Sequence, residues 1–577
     1  MYPVAKVGRK SNQTKGTFKR IIVGKWNGTS NTLPDSRVIK PFSVLCTSEE
    51  KPAAMLQNPV YVESFIVFII VLSVHAVIWN TFSWCTLALA VQAYYVQHKW
   101  DRLLKSGNAV FQYRTADSSG LLPASVVLPL IGIVLKERWA TVGNVQFERF
   151  CIVCSAAGMA IALFISLLGL GLTKPLPTNT SIVYGFATCA IMYALKHTLS
   201  VSEVIEILEV LLIFVYLSLI ILYIMPRSFT PGEVMLFLSG LSIVTNQLIK
   251  RCLTFGDSRY DPLASFLLVI VVGTALLGLV FTILYCFVDS NTWVSSLIFH
   301  VTTVIFGSGT MALWFYRLTR NHLFAWLLNF LTSTRTRMYL LSYWVTLAFL
   351  AALIVFHQNC KQSSGSKEYK ASTAMRKSFH IVIVATYIPG LIYDRPLLYV
   401  AAVVCFAAFV VLEYIRHFRI KPLGMMLSPM LATFLDERDS GPLILTHIYL
   451  LLGLTLPVWL FPGVFAPLSV FPGEVALAPY AGVLAVGIGD AMASVIGSTV
   501  GEVRWPGTKK TFEGTATSIF AQIIAVALIL IFDKTVSLNG SYTWIVGSIV
   551  IVSLLETYTN QIDNLLLPLY LFLMLMV

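Results

Sequence analysis

The sequence predicts an all-α fold, a polytopic bundle of transmembrane helices, and three observations lead to it. Hydrophobic residues make up 57% of the chain and charged residues only 12%. Mean hydropathy is +0.77, outside the balance of soluble domains. Apolar runs of the length that crosses a hydrocarbon layer, about 20 residues at 1.5 Å each, recur along the chain, and roughly fifteen are recognisable on that criterion.

The net charge of +13 comes from Lys and Arg scattered among short loops. Such residues orient a chain in a bilayer; they form no single basic face for nucleic acid.

Residues 1–58 are polar and basic and contain no apolar core of the signal-peptide kind, so they read as a disordered cytosolic tail. Asn12 and Asn27 open sequons there, a weak pattern. Apolar runs follow at 61–80, 82–97, 120–135, 150–172, 181–197, 204–225, 232–249, 263–288 and 292–316. Cys151 and Cys154 form a CxxC inside one of them with no His or second pair nearby, which suits small packing residues rather than zinc. Glu203, Glu206 and Glu209 line one side of the first turns of the 204–225 run. They are either functional intramembrane acids or interfacial acids favoured by the helix dipole. Residues 317–337 read as an interfacial helix or part of a span. The N-terminal membrane region therefore covers 59–356.

The remaining region, 357–577, is organised by charge. The loop at 357–378 holds Lys361, Lys367, Lys370, Arg376 and Lys377, which places it in the cytosol. Spans at 379–393 and 396–414 cross out and back to a second basic stretch with Arg416, Arg419 and Lys421. Spans at 442–460 and 476–496 then deliver residues 498–515, with Arg504, Lys509 and Lys510, to the same side. The run at 516–532 leaves Asn539 on the far side, and 542–555 returns Glu556 and Asp563 to the side of the lysines.

The densest candidate chemistry is the polar stretch 489–515, GDAMASVIGSTVGEVRWPGTKKTFEGT. Phosphoryl transfer needs cations and a metal to spread negative charge, with little covalent work from the protein. Lys509 and Lys510 can neutralise phosphate oxygens, and Pro506 with Gly507 makes a turn whose N–H groups can approach them. Asp490, Glu513, Glu556 and Asp563 are hard oxygen donors suited to Mg2+ or Ca2+. Neither a Walker A loop nor a dinucleotide fingerprint fits these glycines. Ala481, Ala485, Gly489, Ala493, Gly497 and Gly501 recur every four residues, a ladder for close helix packing. Asp490 alone could be a helix-to-helix hydrogen bonder, the Lys pair alone a membrane anchor, and Trp505 an interfacial belt residue.

These elements, GTKKTFEGT, Glu556 and IDNLLLPL at 562–569, resemble the dolichol kinases, members of a CTP-using polyprenol kinase family that includes phytol kinases. The resemblance is strongest from about Arg376 onward and leaves the N-terminal tail outside. It implies a membrane enzyme of the endoplasmic reticulum that moves the terminal phosphate of CTP to dolichol, giving dolichyl phosphate for protein glycosylation. It also implies CTP binding on the cytosolic side along Ser498, Thr499, Gly501, Arg504, Gly507, Thr508, Lys509, Lys510, Thr511 and Glu513. The family's RKxxH element falls on Arg376, Lys377 and His380, and its acidic loop on Asp436, Glu437 and Asp439. On this basis Lys509 and Lys510 take the triphosphate and Asp490 the metal, with Glu513 or Asp563 assisting. His380 is a candidate base or phosphate ligand, or a structural histidine. A membrane lipid cytidylyltransferase shares most of this chemistry, and a polytopic transporter is the rival from another class.

Overall fold

The computed structural model describes residues 58–107, 109–139, 145–172, 178–253, 260–290, 292–362, 373–432, 441–464 and 473–577. The expected tail at 1–58 lies almost wholly outside them. Residues 51–577 form one compact unit.

Helices dominate the described residues, and the isolated bridge between Arg504 and Thr511 is the only β pairing among them. In chain order they are α1 (Pro59–Val77), α2 (Thr81–Ser106), α3 (Leu121–Trp139), α4 (Val145–Leu172), α5 (Thr178–Thr198), α6 (Val201–Ile224), α7 (Pro231–Leu253) and α8 (Pro262–Phe287). Next come α9 (Trp293–Thr319), α10 (Leu323–Thr332), α11 (Arg335–Gln362), α12 (Thr373–Tyr393), α13 (Arg395–His417) and α14 (Leu423–Ala432). The last five are α15 (Thr446–Leu460), α16 (Val483–Thr499), α17 (Phe512–Phe532), α18 (Tyr542–Tyr558) and α19 (Asp563–Met576).

Polar caps set the starts. Asn58 before Pro59, Asp261 before Pro262 and Asp394 before Arg395 and Pro396 each accept a first-turn N–H, pairing an N-cap acceptor with a proline whose missing N–H costs nothing there. Ser200 and Glu203 form a reciprocal capping box, which accounts for the first of the three acids in α6. The other two are paired: Glu206 accepts from Gln247 at 3.1 Å and meets Lys250 at 3.3 Å, while Glu209 meets Lys250 at 3.1 Å. Structural ion pairing, rather than a midplane ion path, thus explains this cluster. Cys151 and Cys154 are buried and free, as packing residues would be.

Nine of the described helices are long and apolar enough to cross a membrane, including Arg335–Ile354, a span the sequence reading did not single out. Six shorter apolar helices accompany them. Four of those six, α15, α16, α18 and α19, surround the site; α19 has 14 residues, about 21 Å of helix against roughly 30 Å of hydrocarbon. The awkward segment after Arg317 resolves into α10, a separate helix of 10 residues.

α19 is the centre. Every residue from Leu565 to Met576 is buried, as expected for a helix apolar on all sides. It packs on α3, α15, α16 and α18, and α1 packs on α18, so packing crosses the division at residue 356. Arg138 at the end of α3 donates to the carbonyls of Met576, at 2.7 Å, and Val577. α3 and α19 therefore run parallel, with their first residues at the end that holds the 500–511 loop. α17 leaves that end at Phe512 and stops at Asp533, where Arg395 Nη2 donates to the Asp533 carboxylate at 2.8 Å. α13 consequently returns Arg416 to the loop end.

Candidate functional site

The site begins with a turn. Thr508 N–H donates to the Trp505 carbonyl at 3.1 Å, closing a four-residue turn with Pro506 second and Gly507 third at φ 73°. That is type II geometry, in which the third position requires positive φ and favours glycine. Trp505 N–H donates to the Lys510 carbonyl at 3.0 Å and Phe512 N–H to the Val503 carbonyl at 2.7 Å, so the two arms of the loop are zipped together. Lys509 and Arg504 are exposed at its tip.

The turn is anchored from below. Thr511 accepts from Gly514 N–H as the N-cap of α17, leaving the positive end of that helix beside the lysines. Glu513 Oε1 accepts from Val503 N–H at 3.1 Å. Trp505 acts as a strut: its indole N–H donates to Thr515 Oγ1 at 3.0 Å, and its ring stands against Tyr558 at 6.0 Å.

The small-residue ladder packs as expected. A Cβ on Gly501 would lie 2.5 Å from both the Gly497 carbonyl and Thr511 Oγ1, and one on Gly514 would lie 2.7 Å from the Ala493 carbonyl. α16 and α17 thus touch backbone to backbone. Ser498 and Thr499 are exposed, but their hydroxyls turn back to the Val495 carbonyl at 3.1 and 2.8 Å.

Two features escape sequence reasoning. The first half of α16, Val483–Asp490, is π-helical, a form concentrated at functional positions, and it ends on Asp490. No residue pattern in VLAVGIGD distinguishes it from an α-helix. His380 is buried, and its Nδ1 lies 2.9 Å from the carbonyl of Val486 within that segment. The contact supports the backbone leading to Asp490. The side chains of Arg376 and Lys377, and all of Asp436, Glu437 and Asp439, lie outside the described residues.

The second feature is how the charges are divided. Lys510 Nζ donates to the Glu556 carbonyl at 2.6 Å and to its carboxylate at 3.3 Å. Glu556 is buried and interacts electrostatically with Asp490 and Asp563 as well as with Lys510. Lys510 and Glu556 are thus in contact at one end of the bundle, and Glu556 feels the charges of Asp490 and Asp563, although Glu513 is engaged with Val503. Among the described residues no three His, Cys, Asp or Glu side chains form a self-sufficient metal cluster. Two half-exposed carboxylates, Asp490 and Asp563, fit the way Mg2+ is usually held, by one or two carboxylates completed by phosphate oxygens and water.

A family model for dolichol kinases matches residues 9–451. The chain belongs to the dolichol kinase family. It is 61% identical over 526 residues to the dolichol kinase of Homo sapiens, covering 91% of this chain and 98% of that one. It is also 61% identical to the Mus musculus dolichol kinase, covering 92% and 99%. With the Arabidopsis thaliana dolichol kinase EVAN the identity is 28%, over 80% and 88%. No solved structure matches. The family match starts at residue 9, so it takes in most of the tail that the motif resemblance left outside. It stops short of the turn at 505–508, but an alignment to the human relative covering 91% of this chain takes in 489–515 wherever it begins.

Proposed function

We propose that this protein transfers the terminal phosphate of CTP to the hydroxyl of dolichol, giving dolichyl phosphate, at the turn between α16 and α17. The observation that carries the reading is the Lys510–Glu556 pair beside that turn, with Asp490 and Asp563 within electrostatic reach of Glu556, in a chain of the dolichol kinase family.

Lys509, Arg504 and the Gly507 N–H hold the triphosphate, at the positive end of α17. Ser498, Thr499 and Gly501 line the approach. Lys510 sits between nucleotide and protein, tied to Glu556, so its charge is fixed where negative charge accumulates on the transferred group. Asp490 and Asp563 hold a divalent cation, Mg2+ or Ca2+, which supplies further positive charge to the phosphate oxygens. Glu513 shapes the loop through Val503 with one oxygen and leaves the other for the site, and Glu556 acts through Lys510. His380 keeps the π-helical segment, and so Asp490, in place. The dolichol oxygen forms the new P–O bond, the bond to the leaving nucleoside diphosphate breaks, and the hydroxyl proton is released.

The lipid tail lies in the apolar bundle, and only its hydroxyl has to reach the loop end. The same reading sets the protein in the endoplasmic reticulum membrane with the loop in the cytosol, supported by Arg416, Arg419 and Lys421 lying toward the loop end. The catalytic region is 357–577.

The test is phosphorylation of dolichol by the purified full-length protein with CTP or ATP labelled in the terminal phosphate. CTP should label the lipid and release CDP, chelation of divalent metal should stop transfer, and added Mg2+ should restore it. Release of pyrophosphate would indicate a cytidylyltransferase and overturn the reading, as would equal transfer from ATP.

A further inference from the structure

The short connector between α18 and α19, residues 559–562, spans the two acids Glu556 and Asp563, and three separate parts of the N-terminal region grip it. Thr559 Oγ1 donates to Glu63 Oε1 of α1 at 2.7 Å, and Gln561 N–H donates to Thr559 Oγ1 at 3.2 Å. Gln561 Nε2 donates to the Ser118 carbonyl, before α3, at 3.1 Å. Its Oε1 accepts from Thr230, before α7, at 3.0 Å. All five residues are at most 5% exposed.

The backbone is built to admit this side chain. Gly120 has φ +68°, and a Cβ there would lie 2.2 Å from the Gln561 amide. A Cβ on Gly232 would lie 2.3 Å from the Gly120 carbonyl. Asp101 Oδ1 accepts from Ser119 N–H at 2.6 Å, fixing the carbonyls of this bend. Apart from Glu63 Oε2, which is buried without a hydrogen-bond partner, the polar groups named here are paired, and so tight a network favours one arrangement.

We propose that Gln561 and Thr559, held by Glu63, Ser118 and Thr230, are positioning residues that fix Asp563, the first residue of α19, at the loop end for metal binding. The inference rests on the metal-dependent phosphoryl-transfer reading above. It gives the N-terminal region a part in the chemistry: its loop-end polar residues form the mould against which one metal-binding acid is placed. Rigid support of this kind is what fixes metal-ligand carboxylates elsewhere.

The experiment titrates purified full-length protein with Mn2+ in the presence of a non-hydrolysable CTP analogue, reading free Mn2+ by electron paramagnetic resonance. Dolichol phosphorylation is followed alongside. Gln561→Ala and Thr559→Val should each raise the half-saturating Mn2+ concentration about tenfold while leaving the KM for dolichol unchanged. Glu63→Leu should behave like Thr559→Val, and Glu63→Gln, whose amide oxygen still accepts from Thr559, should restore binding to within about twofold of the parent. Variants that are folded by size-exclusion and bind Mn2+ like the parent overturn the inference, as does a Glu63→Gln protein as impaired as Glu63→Leu. A parent protein that binds Mn2+ in this connector-dependent way but does not phosphorylate dolichol overturns the proposed function and leaves the positioning role standing.

Discussion

Lys510 and Glu556 are expected to act as a unit, and a double-mutant cycle measures it. Their charged atoms are 3.3 Å apart, a gross attraction of about 5 kcal/mol at an effective dielectric of about 20. The Lys510 side chain is 34% exposed and that of Glu556 only 7%, so solvent screens the pair from one side and reduces the coupling to about 2 kcal/mol. That is about thirtyfold in a rate ratio. Lys510→Met removes a cation from the transferred phosphate and leaves a buried carboxylate repelling it, so kcat/KM for CTP should fall by about 10²–10³. Glu556→Gln releases the lysine and should cost about tenfold. The double variant should be about thirtyfold better than the product of the two losses, in initial rates of lipid labelling at saturating dolichol. If the losses simply multiply, within the roughly 0.5 kcal/mol seen for independent sites, the pair does not work as a unit and the assignment of Lys510 fails.

Three further outcomes follow from the loop. Gly507→Ala, at φ 73°, should strain the turn by about 1–2 kcal/mol and raise the KM for CTP about tenfold without changing that for dolichol. Gly501→Ala puts a methyl 2.5 Å from Thr511 Oγ1 and the Gly497 carbonyl, an overpacking cost of about 1–3 kcal/mol, and should lower the melting temperature in detergent as well as nucleotide affinity. In intact microsomes a membrane-impermeant maleimide should label Lys509→Cys above the parent background and Asn539→Cys only after permeabilisation. The reverse pattern sinks the cytosolic placement.

Hydropathy alone locates nearly all the helices, because crossing a bilayer forces long apolar runs with satisfied backbones, and the ends of α1, α8 and α13 are readable from Asn58, Asp261 and Asp394. Within the site, the turn is legible from Pro506 and Gly507 because those residues restrict their own dihedrals. What is not legible is non-local. Nothing near Thr559 announces a partner at Glu63, 496 positions away. The pairing of Lys510 with Glu556, rather than with phosphate alone, depends on how α18 ends. The π-helical stretch before Asp490 packs against neighbours such as α12 and α17, contacts for which a single sequence carries no local signal.

The central place of α19 bears on how the protein is made. This helix is synthesised after every element it packs against, so α3, α15, α16 and α18 enter the membrane around a gap one helix wide. Until Asp563–Met576 emerges, the bundle has neither its apolar axis nor one of its two proposed metal-binding acids, and Arg138 lacks the carbonyls it caps. Completion of the bundle is thereby tied to a helix made later than every neighbour it packs against. A chain stopped before Asp563 would leave the ribosome with its other described helices present and its interior open, a substrate for membrane quality control rather than a weakened kinase.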